Sequence, residues 1–122
     1  MPTTFHLIES SPTLTHVAVV GALDLAGTRE IELKFTATTA GRHKPVIIDL
    51  SQVSFLSSAG LGLFIQIARS LRADKHSAVA FAPNEISKRA IQISKLDFIL
   101  RIAGTLEEAL ELAKLPASSV AR

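Results

Sequence analysis

Apolar positions along this chain fall into two rhythms, and the rhythms alternate. "TFHLIES" and "THVAVVGALDL" are short runs rich in Val, Leu and Ile, separated by "SPTL". Ser and Pro favour a turn, so the two runs predict a β-hairpin, with Gly21 breaking the second. The period then changes. Ile31, Phe35 and Thr38 lie at helical spacing in "AGTREIELKFTATTAGRH", with charged residues between them. Gly27 and Thr28 suit its start, Gly41 the left-handed position after its end, and Pro45 stops any continuation. "PVIIDLSQVSFL" opens on a nearly continuous apolar run, as a strand covered on both faces does.

The alternation continues to the C-terminus. "SAGLGLFIQIARSLRAD" reads as a helix with Leu61, Phe64, Ile65, Ala68 and Leu71 on one face. "SAVAFAP" reads as a buried strand. "NEISKRAIQISKL" reads as a helix capped by Asn84, with Ile86, Ala90, Ile91 and Ile93 turned inward. "DFILRIA" predicts a last strand and "TLEEALELAKL" a last helix, opened by the capping box Thr105-x-x-Glu108. A hairpin followed by alternating α and β predicts an α/β fold: one mixed sheet, parallel except at the hairpin, with about four helices. The expected domain spans residues 1–115, and 116–122 are expected to form a flexible tail.

Composition narrows the chemistry. The chain has 122 residues, 48% of them apolar, no cysteine, and a net charge of +2. Disulfides, thiolate metal sites and a cysteine nucleophile are excluded. The basic residues are scattered and Tyr and Trp are absent, which argues against nucleic-acid binding. The histidines show no i, i+4 pair or compact cluster, so no metal site and no cofactor are expected. "MPTTFHLIES" does not read as a signal peptide, and no apolar stretch approaches the roughly 20 residues of a membrane span. A cytoplasmic protein without membrane insertion is expected.

The informative stretch is "SFLSSAGLG", residues 54–62, where a buried strand gives way to a helix. Ser57 or Ser58 can cap that helix, whose first amides lack partners. A catalytic serine is a second reading, but Leu56 stands where the nucleophile-elbow pattern needs its first glycine. His43 and His76 fall before strands, away from the strand ends where such sites form. A phosphate cradle is a third reading, but no lysine follows the glycines. A switch is the fourth. A phosphate at a helix N-terminus brings about −1.5 to −2 charges, which the helix end favours and a partner on the same surface does not.

"GALDL" at 21–25 and "VIIDLSQVSFLSSAGLGLF" at 46–64, with the strand-helix continuation, resemble the STAS domain. More closely, they resemble the stand-alone anti-sigma factor antagonists, over roughly residues 5 to 113. The resemblance implies a non-enzymatic module that binds an anti-sigma factor which is also a serine kinase, and so frees a sigma factor. The kinase would phosphorylate the module to release its partner, and a serine phosphatase would reset it. The phosphoacceptor falls on Ser58. Ser57, a secondary candidate, replaces the acid usual at its position. Asp24 matches the acid of the family's Gly-x-Leu-Asp motif. The implied partner surface comprises Asp24, Ser57, Ser58, Ala59, Gly60, Leu61 and Gly62. A regulatory subunit of a lipid or anion transport assembly is the alternative, which neighbouring genes would distinguish.

Overall fold

The computed structural model describes residues 2–117. Strands β1 (Thr4–Ser10) and β2 (Thr15–Leu23) form the N-terminal hairpin. Helix α1 (Leu25–Thr38), strand β3 (Val46–Leu56), helix α2 (Ser58–Ala73) and strand β4 (Ala78–Phe81) follow. Helix α3 (Glu85–Ile93), strand β5 (Leu100–Ala103) and helix α4 (Leu106–Lys114) complete the domain. The five strands lie in the order β1-β2-β3-β4-β5. β1 is antiparallel to β2 and every other pairing is parallel.

Handedness explains where the helices go. Three successive parallel crossovers that all step the same way, if right-handed, place their helices on the same face. Ile31 and Phe35 of α1, Phe64, Ile67 and Leu71 of α2, and Ile91 of α3 accordingly share one core with Val17, Val19, Ile48 and Leu50. Helix α4, after β5, takes the other face, where Ala109 and Ala113 pack on Ile47, Val79 and Ala103. Val46, Ile47 and Ile48 therefore alternate between two covered faces, and all three are fully buried. That is why the run is continuously apolar.

Several boundaries differ from the sequence expectation. Gly21 does not end β2. It takes φ 112° beside a register irregularity, and the strand runs on to Leu23. Helix α1 starts at Leu25, capped by Asp24, rather than at Gly27. Gly27 is needed for closeness instead: a Cβ there would collide with the Ala22 carbonyl and the Thr3 hydroxyl. Gly41 is not the left-handed residue. A short 3-10 turn, Ala40–Arg42, intervenes, and His43 takes φ 56° as its amide reaches the Ala40 carbonyl. The last strand is only Leu100–Ala103, because Asp97–Ile99 turn. Glu108 reaches back to the Gly104 amide rather than to Thr105, while Thr105 Oγ1 accepts from the Glu108 amide.

Helix α3 is rotated from its predicted orientation. Ile91 is buried, but Ile86 and Ile93 are 71% and 70% exposed, and Ser87 takes the inner face. In α2, Leu63 and Ile67 join the buried set while Leu61 is only half-buried. Of the expected tail, residues 118–122 lie outside the described residues.

Candidate functional site

The site is built where β2 and β3 end side by side. Leu23 pairs with Leu56, so the chain leaves both strands at the same edge and starts a helix from each. Two caps hold these starts. Asp24 Oδ1 accepts from the Gly27 amide at 2.7 Å, at the head of α1. Ser57 Oγ accepts from the Gly60 amide at 3.3 Å, at the head of α2.

Ser57 also joins the two ends. Its amide and its hydroxyl both donate to the Leu23 carbonyl, at 3.0 and 2.6 Å. A hydroxyl can donate and accept at once, whereas an ionised carboxylate only accepts. An aspartate at 57 would keep the cap but face the Leu23 carbonyl without a proton to offer. The serine at this position is thereby accounted for by its own contacts.

Ser58 has a different environment. It is the first residue of α2, it is exposed, and its hydroxyl takes no part in the cap. The serine pair thus divides into a structural member and an accessible one. The first amides of α2 and the positive end of its dipole lie beside Ser58. The first cation along α2 is Arg69, eleven residues on, which at 1.5 Å per residue is about 16 Å away. A negative charge on Ser58 would therefore stay unneutralised by α2's side chains.

The glycines also divide. A Cβ on Gly60 would lie 2.8 Å from Leu23 Cβ and 3.0 Å from the Leu23 carbonyl oxygen and Leu56 Cδ1. Gly60 is buried, and its lack of a side chain lets α2 approach the strand ends. A Cβ on Gly62 would meet nothing within 4 Å. Gly62 keeps an exposed face of α2 flat.

That face forms a shallow groove of about 410 Å³ running from Ser58 past Leu61 and Ile65 to Arg69, with Leu96 closing one side. Ala59 is half-buried next to it, and Asp24 is exposed on the neighbouring helix head. The structure thus brings Asp24 and residues 57–62 to one edge of the sheet, with Gly60 beneath the surface. Sequence reasoning did not single out Ile65, Arg69 or Leu96 for this surface. Asn84 gave a partial signal as a cap. Its carbonyl oxygen accepts from the Ser87 amide at 2.8 Å while its amide donates to the Val53 carbonyl at 3.3 Å, fixing α3 against β3.

The histidines are elsewhere. His6 and His16 lie in the hairpin, and His43 and His76 precede β3 and β4 at the opposite edge. Among the described residues, no group of three or more His, Cys, Asp or Glu side chains could hold a metal ion. Among the same residues, no helix is long and apolar enough to cross a membrane.

Known proteins share this architecture. Residues 7–109 match the model of the STAS domain. A Thermotoga neapolitana protein, named as a candidate anti-sigma factor antagonist, is 32% identical over 69 residues. That match covers 57% of this chain and spans 61% of the relative's length. The crystal structure of an anti-sigma factor antagonist from Mycobacterium paratuberculosis superposes with a TM-score of 0.78 at 25% identity, covering 92% of this chain and 94% of that one. The phosphorylated form of the Bacillus cell fate determinant SpoIIAA has the same fold, with a TM-score of 0.66 at 24% identity over 88% and 97% of the two chains.

Proposed function

The chain belongs to the STAS domain family, and from that premise we propose that it is an anti-sigma factor antagonist switched by phosphorylation at Ser58. It binds a kinase-type anti-sigma factor through the surface at the head of α2. Phosphorylation by that partner releases it, and a serine phosphatase restores binding. ATP belongs to the kinase. The module acts by binding and carries no chemistry of its own.

One observation carries this reading: Ser57 does all the capping, which leaves the adjacent Ser58 hydroxyl exposed and uncommitted. Its modification costs the fold little, because the added charge sits at the favourable end of a helix dipole. The same charge, with Arg69 three turns away, confronts whatever rests on the groove. The names of the Thermotoga and Mycobacterium proteins and the phosphorylated form of SpoIIAA support the assignment.

The test is direct. Ser58→Asp is expected to stay folded by circular dichroism and to bind the cognate kinase at least tenfold more weakly than wild type, about 1.4 kcal/mol. Equal affinity of the two proteins sinks the switch. Incubation with kinase and ATP, followed by mass spectrometry, is expected to place the phosphate on Ser58 and not on Ser57.

A further inference from the structure

The sheet edge opposite Ser58 carries a second cleft, of about 430 Å³. That is within the range of small-ligand pockets, roughly 300–1,000 Å³. It opens between the β1–β2 turn, the segment entering β3, and the last turn of α4. Its walls are aliphatic: Leu14, Pro45, Leu110 and Ala113. Its rim carries Lys44 and Lys114, with His76 beside them, and among the described residues no acidic side chain lines it. Among the described residues neither lysine forms an ion pair.

One wall is held in advance of any ligand. The Arg42 guanidinium donates to the Leu14 carbonyl at 3.2 Å and to the Ser11 carbonyl and Thr15 hydroxyl at 2.5 Å, pinning the hairpin turn. The Ser11 hydroxyl accepts from the Leu14 amide at 3.1 Å within the same turn. A wall already ordered loses little freedom when something binds.

We infer that this cleft binds a small aliphatic carboxylate, with its alkyl body against Leu14, Leu110 and Ala113 and its anionic head between Lys44 and Lys114. Charge complementarity carries the assignment: two ammonium groups that form no ion pair among the described residues flank an apolar floor. No aromatic ring lines the cleft, so there is no stacking partner for an aryl ligand. Among the described residues no arginine lines it either, so they offer no two-pronged fork of the kind that suits phosphate.

Octanoate is the probe, titrated into the full-length protein and followed by amide NMR shifts, with octan-1-ol as the uncharged control. Saturable shifts at Thr13, Leu14, Lys44 and Lys114 are expected, with octanoate binding about tenfold tighter than octan-1-ol. The double variant Lys44→Gln/Lys114→Gln should lose that preference while still binding octan-1-ol. The inference fails if the two probes bind equally to wild type, if the double variant keeps the preference, if the shifts gather elsewhere, or if no saturable shift appears at millimolar octanoate.

Discussion

Ser57 and Ser58 are chemically identical neighbours with opposite situations. Ser57 is half-buried and makes two side-chain hydrogen bonds, and Ser58 is exposed. Removing the first hydroxyl strips a cap and a strand-end tie, so Ser57→Ala is expected to cost about 1 to 2 kcal/mol in urea denaturation. Ser58→Ala is expected to stay within about 0.5 kcal/mol of wild type. The reverse order would mean that Ser58 holds the helix. The sequence showed that one serine should cap and left open which one. The answer depends on the position of the Leu23 carbonyl, 34 residues away, and no local pattern encodes that distance.

Helix α2 shows what glycine does at the scale of an element. Gly60 and Gly62 each carry the same intrinsic penalty in a helix, roughly 1 kcal/mol relative to alanine. Only Gly60 is compensated, because only there does the strand end come within contact of the missing Cβ. Gly60→Ala is therefore expected to destabilise by about 1 to 3 kcal/mol. Gly62→Ala, with open space around it, is expected to stabilise by up to about 1 kcal/mol. Equilibrium denaturation of the two variants side by side checks the contrast, and equal shifts of one sign would refute it. Helix α3 marks the limit of periodicity at this scale. Ile86, Ala90 and Ile93 share one flank by i, i+4, i+7 spacing, and apolarity alone turned that flank inward. In the fold it is Ser87 and Ile91 that face the core. Lys88 and Gln92 line a cleft with Gly104 and Glu108 on the other flank. Asn84 sets this rotation by fastening the helix head to β3, a long-range constraint invisible to a single-helix pattern.

For the whole molecule, the order of elements and the mixed sheet were legible because the two hydrophobic periods alternate without long loops. The position of α4 on the second face was less so, since the helix's own apolar spacing does not say which face of the sheet it covers. His16 adds a global property. It is 6% exposed on that second face, its Nε2 has no hydrogen-bond partner among the described residues, and its ring lies edge-on to Phe81 at 6.4 Å. Burial lowers its pKa from the ordinary value of 6.5, and the carboxylates of Asp49 and Glu9 oppose that only in part. A histidine held neutral by the fold binds its proton more readily when unfolded. Its contribution is fully present above about pH 6.5 and is lost as pH falls below that towards the lowered folded value. Urea midpoints are accordingly expected to fall between pH 7 and pH 5 in wild type and to fall less in His16→Gln. Equal falls in both would show that other groups set the acid limit.

The strand order of the sheet is the order of the chain. Each new strand pairs with the one made just before it, and no strand has to be inserted between two that are already bonded. The sheet can therefore grow from one edge in the direction of synthesis, with every crossover helix closing over strands that already exist. Each parallel pairing still closes over an intervening helix, from Val17 to Ile48, from Ile48 to Ala80 and from Ala80 to Ile102, so the loop-closure cost of a parallel sheet is met one crossover at a time. The growing edge is always the youngest strand, and in the finished domain that edge is the four-residue β5, too short to offer a long template for a second chain, while the opposite edge is the seven-residue β1, interrupted by a register irregularity between Leu7 and Glu9.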